Sequence, residues 1–197
     1  MKTAKKSLVA LYLDGEFAVY IDSYIINHSG YKLGEEISDE ELRNLIYDSD
    51  IRRAKRTVFY YLEKRDYSKK ELLDKINKDV SYKAAQEIVE YVENLGFIDD
   101  KKYAEKYALE LFEVKGYAKS RVEFELKTKG IDRDIIEEIV DEISIEPREQ
   151  ITYLIDKKFP NLLESEKAKM RAINTLKRYG HSWEDIKSVL EEIKMDY

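Results

Sequence analysis

Apolar residues recur with helical spacing over most of the chain. Ala85, Ile88, Val89 and Val92 stand at positions i, i+3, i+4 and i+7, which places them on one face of a helix. The same spacing returns in residues 136–143 and again in residues 186–193, at shifts of 51 and then 50 residues. The pattern therefore predicts one amphipathic helix used three times.

The segments before these helices repeat as well. Apolar pairs four residues apart recur at shifts of 50 residues, in Leu72 and Ile76, Val122 and Leu126, and Ala172 and Leu176. An opening helix precedes each pair, in residues 54–62, 104–112 and, less faithfully, 151–159. Because one such unit cannot bury both faces of its helices, neighbouring units are expected to stack. We predict a mainly α fold with three tandem three-helix repeats, residues 49–97, 98–144 and 145–197, stacked into an elongated curved array.

The first 48 residues have a different pattern and predict a small N-terminal head. Two apolar segments flank Asp14-Gly15, a pair that favours the tight turn of a β-hairpin. A short helix is expected after Asp22, and a longer one after Ser38, where Glu41 completes a capping box. We expect this head, residues 1–48, to have a structural role.

Composition narrows the function classes. The 35 basic and 41 acidic residues give a net charge of -6, which argues against nucleic-acid binding by bulk charge. The chain has no cysteine, so thiolate metal sites and nucleophiles are excluded, and we expect no cofactor and no metal. The basic start is soon interrupted by Asp14-Gly15-Glu16, unlike a signal peptide, and no apolar stretch has the roughly 18 residues of a membrane span. We expect a cytoplasmic protein with no membrane partner.

Three segments of the chain carry motifs of characteristic spacing. Residues 96–104, Gly-Phe-Ile-Asp-Asp-Lys-Lys-Tyr-Ala, resemble the G-x-I-D-D-x-x-x-A signature of the RecX family, regulators of the RecA recombinase. Residues 65–72 resemble its R-x-x-S-x-x-E-L segment, and residues 121–131 its I-x-x-E-L-x-x-K-G-I segment. The order and spacing match from about residue 50 to the end. Although each motif alone is weak, their combination on a repeat of this length is specific.

The resemblance implies a function and a partner. It implies three helical modules that bind in the groove of a RecA filament on single-stranded DNA and restrain its ATPase and strand exchange. It allows weak direct contact with DNA. We expect a monomer that acts by binding and is not an enzyme.

Charge distribution suggests which residues bind. Residues 115–130 contain 5 basic and 2 acidic residues, and residues 165–180 contain 5 and 1, whereas residues 132–149 contain 2 and 8. A single basic helix is often only a solvated face, but a basic second helix recurs in all three repeats. The candidates for binding a partner or a phosphate are Arg65, Lys69, Lys70, Lys115, Lys119, Arg121, Lys127, Lys129, Lys177 and Arg178.

Two other functions remain open at this stage. A helical repeat that binds nucleic acid directly would use the same cations, with tyrosines near basic residues as stacking surfaces. A hydrolase would need a carboxylate pair such as Asp99 and Asp100, but a helix start explains these residues without catalysis. We expect His181, before Ser182, and Trp183, in the first turn of the last helix, to have packing roles, and Phe59 to lie in a core.

Overall fold

The computed structural model describes residues 7–143 and 146–195 and begins with the predicted hairpin. Strands β1 (Leu8–Leu13) and β2 (Glu16–Asp22) pair antiparallel. Asp14 and Gly15 have φ angles of 50° and 85°, as a tight hairpin turn requires. A bulge between Leu11 and Tyr12 shifts the register of the two strands. The predicted hairpin is confirmed.

Two helices follow the hairpin. Helix α1 (Ser23–His28) begins after Asp22, whose side chain accepts a hydrogen bond from the Tyr24 backbone N–H. Helix α2 (Asp39–Leu62) begins after Ser38, and the capping box with Glu41 is complete. Because α2 is one helix of 24 residues, it runs through the boundary expected between residues 48 and 49. The head and the first repeat therefore share a helix.

Eight further helices complete the described chain. In order they are α3 (Lys69–Ile76), α4 (Tyr82–Asn94), α5 (Asp100–Leu109), α6 (Lys119–Thr128), α7 (Arg133–Glu142), α8 (Pro147–Lys158), α9 (Glu166–Arg178) and α10 (Trp183–Met195). A π-helical segment, Glu110–Lys115, continues α5. The predicted mainly α fold with a small hairpin is confirmed.

Three hydrophobic clusters lie along the chain, and each is built by three successive helices. The first includes Ala54, Leu72, Ile76, Ile88 and Val92. The second and third contain the residues predicted at the equivalent positions, among them Val122, Leu126, Ile136 and Ile139, and Ala172, Leu176, Ile186 and Val189. The helical register derived from the apolar spacing thus agrees with the burial of these side chains.

The chain divides into two compact units, Met1–Asp99 and Asp100–Tyr197. The first contains the head and the first hydrophobic cluster, and the second contains the other two clusters. Gly130 and Gly180 follow α6 and α9 with φ angles of 78° and 91°, the left-handed conformation that commonly ends a helix. Within the described ranges, no helix is both long and apolar enough to cross a bilayer.

Candidate interaction surface

The ten candidate cations lie in two groups, one on each unit. Arg65, Lys69 and Lys70 lie just before and at the start of α3. The other seven lie in the second unit, at the end of the π-helical segment and on or just after α6 and α9. Each group is considered within its own unit.

The first group is engaged mostly in local contacts. The Arg65 guanidinium lies 3.6 Å from the Tyr67 ring centroid and forms a 3.4 Å ion pair with Glu71. The Lys69 ammonium lies 2.6 Å from the Glu93 carboxylate, whereas the Lys70 side chain is exposed. Since ion pairing offsets much of the charge, this group offers little uncompensated positive charge.

The second group is brought together by contacts between the start of α6 and the end of α9. The Ala118 backbone N–H donates to the Tyr179 carbonyl at 2.9 Å, and the Ser120 hydroxyl donates to the Gly180 carbonyl at 3.1 Å. Lys119 and Arg178 are the chain neighbours of the bonded pair Ala118 and Tyr179. Cations of the second and third repeats therefore form one surface. We call it the α6–α9 patch and define it as Lys115, Lys119, Arg121, Lys158, Lys177 and Arg178.

The cations of the patch differ in how far they are neutralised. Arg121 is half-buried, forms a 2.5 Å ion pair with Glu125, and lies 5.2 Å from the Phe124 ring centroid. Lys177 lies 4.7 Å from the ring centroid of Trp183. Lys119 and Arg178 are exposed, and neither forms an ion pair with any residue that the structure describes. These two cations carry most of the uncompensated charge of the patch.

Lys115 stays charged despite being partly buried. Loss of hydration disfavours its ammonium form, but a hydrogen bond and the charge of Glu110, 3.3 Å away, outweigh that effect. The pKa of Lys115 is therefore raised above its ordinary value. This cation is held locally by Glu110.

Two predicted cations lie outside the patch. Lys127 is eight residues after Lys119, about 12 Å along the helix axis, and its ammonium lies 4.0 Å from Glu123. Lys129 follows α6, and its ammonium lies 5.4 Å from the Tyr107 ring centroid. Both residues belong to the opposite end of the helix.

Sequence reasoning missed one member of the patch. Lys158, at the end of α8, places its ammonium 3.3 Å from the Lys115 carbonyl and 3.4 Å from the Tyr179 hydroxyl. The Tyr179 ring lies 5.0 Å from that of Tyr117. Lys158 lies on α8 and not on a basic second helix, so the recurrence of basic second helices did not point to it.

The aromatic predictions have mixed outcomes. Trp183 was expected to be a packing residue, but at the start of α10 it is 46% exposed, and the Lys177 ammonium lies 4.7 Å from its ring centroid. Phe59 is partly buried against the first hydrophobic cluster, as expected. Its neighbour Tyr60 is 48% exposed.

His181 lies buried beside the patch. Its Nε2 is 3.0 Å from the Gly116 carbonyl oxygen, so Nε2 is the protonated nitrogen. The buried Nδ1 has no hydrogen-bond partner among the described residues. Burial lowers the pKa of His181, although the bond to Gly116 and the charge of Asp185 act in the opposite direction. The prediction that His181 packs is confirmed.

The acidic pair Asp99-Asp100 lies at a helix start. Helix α5 begins at Asp100, the helix start expected for the Asp99-Asp100 pair. Among the residues that the structure describes, no group of three His, Asp or Glu side chains is arranged to hold a metal ion.

Comparison with known proteins finds several that are similar to this chain. The family model of the second three-helix domain of RecX matches residues 99–139. "Regulatory protein RecX" of Clostridium acetobutylicum is 29% identical, with 96% of this chain and 91% of that protein covered. The protein of the same name from Caldanaerobacter subterraneus is 28% identical, with 96% and 95% covered. These relatives are named as regulatory proteins, not as enzymes.

Solved structures agree in fold. A crystal structure of regulatory protein RecX superimposes with a TM-score of 0.62 at 17% identity, covering 96% of this chain and 95% of that one. RecX from Lactobacillus salivarius gives a TM-score of 0.59 at 22% identity, covering 75% of this chain and 99% of that one. The family model, the relatives matched over most of the chain and the fold thus all show similarity to RecX proteins.

Proposed function

We propose that this protein binds RecA filaments on single-stranded DNA and inhibits their ATPase and strand exchange by occupying the filament. The support is similarity over most of the chain to proteins that are named regulatory protein RecX, together with the arrangement of the α6–α9 patch. The three repeats, residues 49–97, 98–144 and 145–197, are the proposed binding modules. The protein is proposed to act in the cytoplasm as a monomer, without a cofactor.

The observation that carries the proposal is that the Ala118–Tyr179 hydrogen bond brings cations of two repeats close together. Exposed charges contribute little to folding, typically under about 1 kcal/mol even when paired. Lys119 and Arg178 have no ion pair within the described ranges, so stability gives little reason for two cations to meet there. A partner that presents phosphates or carboxylates gives such a reason.

Binding alone does not explain inhibition. A ligand shifts an equilibrium only if it binds the two states with different affinity. The protein must therefore bind the active and inactive forms of the filament unequally. Inhibition then follows from occupancy, and no chemical step is needed.

The test is a binding titration with a double charge reversal. We expect Lys119→Glu with Arg178→Glu to weaken binding to a fluorescently labelled, RecA-coated single strand by about tenfold or more, on the order of 1.4 kcal/mol. The salt dependence of binding should also become flatter, because fewer ionic contacts remain. Fluorescence anisotropy measures both quantities, and the ATPase of the filament gives the functional result.

Two exposed lysines outside the patch provide the matched control. Lys167→Glu with Lys187→Glu makes the same change in net charge within the same unit, on α9 and α10. We expect this variant to bind within about twofold of the parent, since it leaves the local field of the patch largely unchanged. If both variants bind equally, the patch is not the binding surface. If the parent neither binds nor inhibits the filament at any ratio, the proposed function is wrong.

Direct binding to single-stranded DNA is a second candidate. Exposed Trp183 beside Lys177, and Tyr179 beside Lys158, pair rings with cations, an arrangement typical of single-strand binding surfaces. Anisotropy with an uncoated oligothymidine separates the two functions. Tight, strongly salt-dependent binding without RecA, lost in the patch variant, would favour the second candidate.

A further inference from the structure

A groove of about 540 Å³ lies on the first unit, lined by residues of α1 and α2. Its apolar floor consists of Ile25, Ile51 and Phe59, and its cationic rim consists of Arg52, Lys55 and Arg56. None of these residues belongs to the α6–α9 patch or to the ten candidate cations. We call this site the α2 groove.

Two of the rim cations are held in place by a buried carboxylate. Asp22 is 1% exposed and accepts from Arg52 Nε at 3.2 Å and from Arg56 at 3.5 Å. The same carboxylate also accepts from the Tyr24 backbone N–H at 3.0 Å. The Asp22 carboxylate thus accepts hydrogen bonds from three donors. These bonds hold both guanidinium groups at the rim of the groove.

The guanidinium groups retain donors for a ligand. The Arg52 and Arg56 side chains are 44% and 48% exposed. A guanidinium has five N–H donors, and one in each residue is used by Asp22. The other donors have no hydrogen-bond partner within the described part of the chain. They are suited to carboxylate oxygens, which arginine binds with good geometry.

Lys55 adds a third uncompensated cation. Its ammonium lies 4.9 Å from the Tyr91 ring centroid and forms no ion pair with any described residue. The acidic side chain in the groove lining is Asp48. The rim therefore carries an excess of positive charge over an apolar floor.

The floor and the rings distinguish between kinds of ligand. Single-stranded nucleic acid binds by stacking its bases on open aromatic faces. Here the Phe59 ring packs edge-on against Phe97 at 5.7 Å, and the Tyr24 ring contacts both His28, at 3.9 Å, and Arg52, at 3.8 Å. These contacts reduce the ring surface available to a base, whereas Ile25 and Ile51 are suited to an aliphatic or aromatic side chain.

We propose that the α2 groove binds an acidic peptide segment of a partner protein. An apolar side chain of the peptide packs between Ile25, Ile51 and Phe59, and flanking carboxylates pair with Arg52, Lys55 and Arg56. The charge of the rim complements such a segment, and Asp48 disfavours a continuous polyanion. This surface is independent of the one proposed for filament binding.

The experiment uses the full chain and a fluorescein-labelled peptide of eight residues that alternates glutamate with leucine and phenylalanine. We expect saturable binding by fluorescence anisotropy. Two control peptides test the apolar and the ionic contacts separately. One has serine in place of each apolar residue, and the other has lysine in place of each glutamate. Each control should bind at least about tenfold more weakly, because it lacks either the floor contact or the carboxylates.

The variants are chosen to preserve folding. Arg52 and Arg56 are left intact because removing either would leave Asp22 buried with fewer partners. Lys55→Glu should weaken peptide binding about tenfold. Lys78→Glu makes the same charge change at an exposed site outside the groove, and should leave the affinity within about twofold. Circular dichroism checks that both variants fold.

The outcomes separate this proposal from its rivals. It is overturned by absence of saturable peptide binding, by equal weakening in Lys55→Glu and Lys78→Glu, or by undiminished binding of the serine peptide. Binding of oligothymidine that is lost in Lys55→Glu, with the peptide unaffected, would assign the groove to nucleic acid and also overturn it. Because the α6–α9 patch is unchanged in these variants, none of these results bears on filament binding.

Discussion

Gly116 occupies a position that only glycine can fill without strain. Its φ angle is 73°, and an added Cβ would lie 2.5 Å from Cδ2 of Leu154. Leu154 is 1% exposed, so it has little room to move away. Both the backbone and the packing therefore oppose a side chain at residue 116.

We expect Gly116→Ala to destabilise the protein by about 2 kcal/mol or more, the sum of left-handed strain and overpacking. Gly96→Ala is the matched control, since Gly96 has a φ angle of 77° but no atom within 4 Å of an added Cβ. It should cost about 1 kcal/mol, from backbone strain alone. Denaturant melts measure both, and equal losses would show that the contact with Leu154 is not tight.

His181 should make stability depend on pH. Burial lowers its pKa in the folded state below the ordinary value of 6.5. Between the two values the unfolded chain binds more protons, so stability is full above about pH 6.5 and is lost as the pH falls toward the folded pKa. We expect His181→Gln, which retains a donor for Gly116, to lose this part of the dependence. Melts from pH 7.5 to 5 measure it, and identical pH profiles for parent and variant would contradict the prediction.

Single residues were predictable where one local rule decides their position. The glycines that end α6 and α9 follow from helix-capping geometry, and the burial of His181 follows from its place before Ser182. The 46% exposure of Trp183 was not predictable, because its place in the first turn of α10 does not show how far neighbouring residues cover it. The half-burial of Arg121 was not predictable either, because it depends on the approach of Gly180, whose added Cβ would lie 2.8 Å from the Arg121 Cβ.

At the scale of elements, α6 and α9 contribute equivalent leucines to two separate cores. Leu126 and Leu176 are both 0% exposed. We expect Leu126→Ala and Leu176→Ala each to destabilise by about 2 to 5 kcal/mol, the range for truncating leucine in a core that relaxes only partly. Denaturant unfolding tests this. A change within about 0.5 kcal/mol of the parent for either variant would mean that the side chain is not packed as described.

The helices were predictable from apolar spacing, but two of their features were not. The π-helical segment after α5 buries Leu111 and Phe112, and an apolar pattern of that length does not distinguish π from α turns. The continuity of α2 was missed because its two halves bury different faces, so the periodicity changes phase near Ser49. The sequence predicts the basic residues of α6 and α9 but not that they lie together in the α6–α9 patch. That arrangement depends on the contact between Ala118 and Tyr179, which are about sixty residues apart in the chain.

At the scale of the whole molecule, the second unit contains two repeats that depend on each other. Gln150 donates to the Phe112 carbonyl at 3.2 Å, and His181 donates to the Gly116 carbonyl at 3.0 Å. Leu154 packs on Gly116. The second repeat therefore uses the third to satisfy its backbone and cover its apolar groups.

We expect residues 100–197 to fold cooperatively alone, whereas residues 100–146 should be largely unfolded or melt at a much lower temperature. The physical reason is that the shorter fragment loses these buried partners, and repeats of this size gain much of their stability from the neighbouring repeat. Thermal melts followed by circular dichroism measure the difference. An equal melting temperature for the two fragments would show that the second repeat is stable by itself.

The continuity of α2 constrains how the head could be gained or lost in evolution. Two consecutive residues of α2 bind different parts of the chain: the Ser49 hydroxyl accepts from the Asp22 N–H of the head at 2.9 Å, and the Asp50 carboxylate accepts from the Ser81 N–H at 2.8 Å. Each helical residue adds about 100° of rotation, so inserting one residue here would turn the head away from its contacts. Because Ser49 and Asp50 are adjacent within α2, no linker lies between them to absorb such a change in length. A relative without the head would expose Leu45 and Ser49 and would need polar residues there. It would still need Ala54 and Val58, which pack in the first hydrophobic cluster. Residues at the first pair of positions should therefore vary independently of those at the second pair.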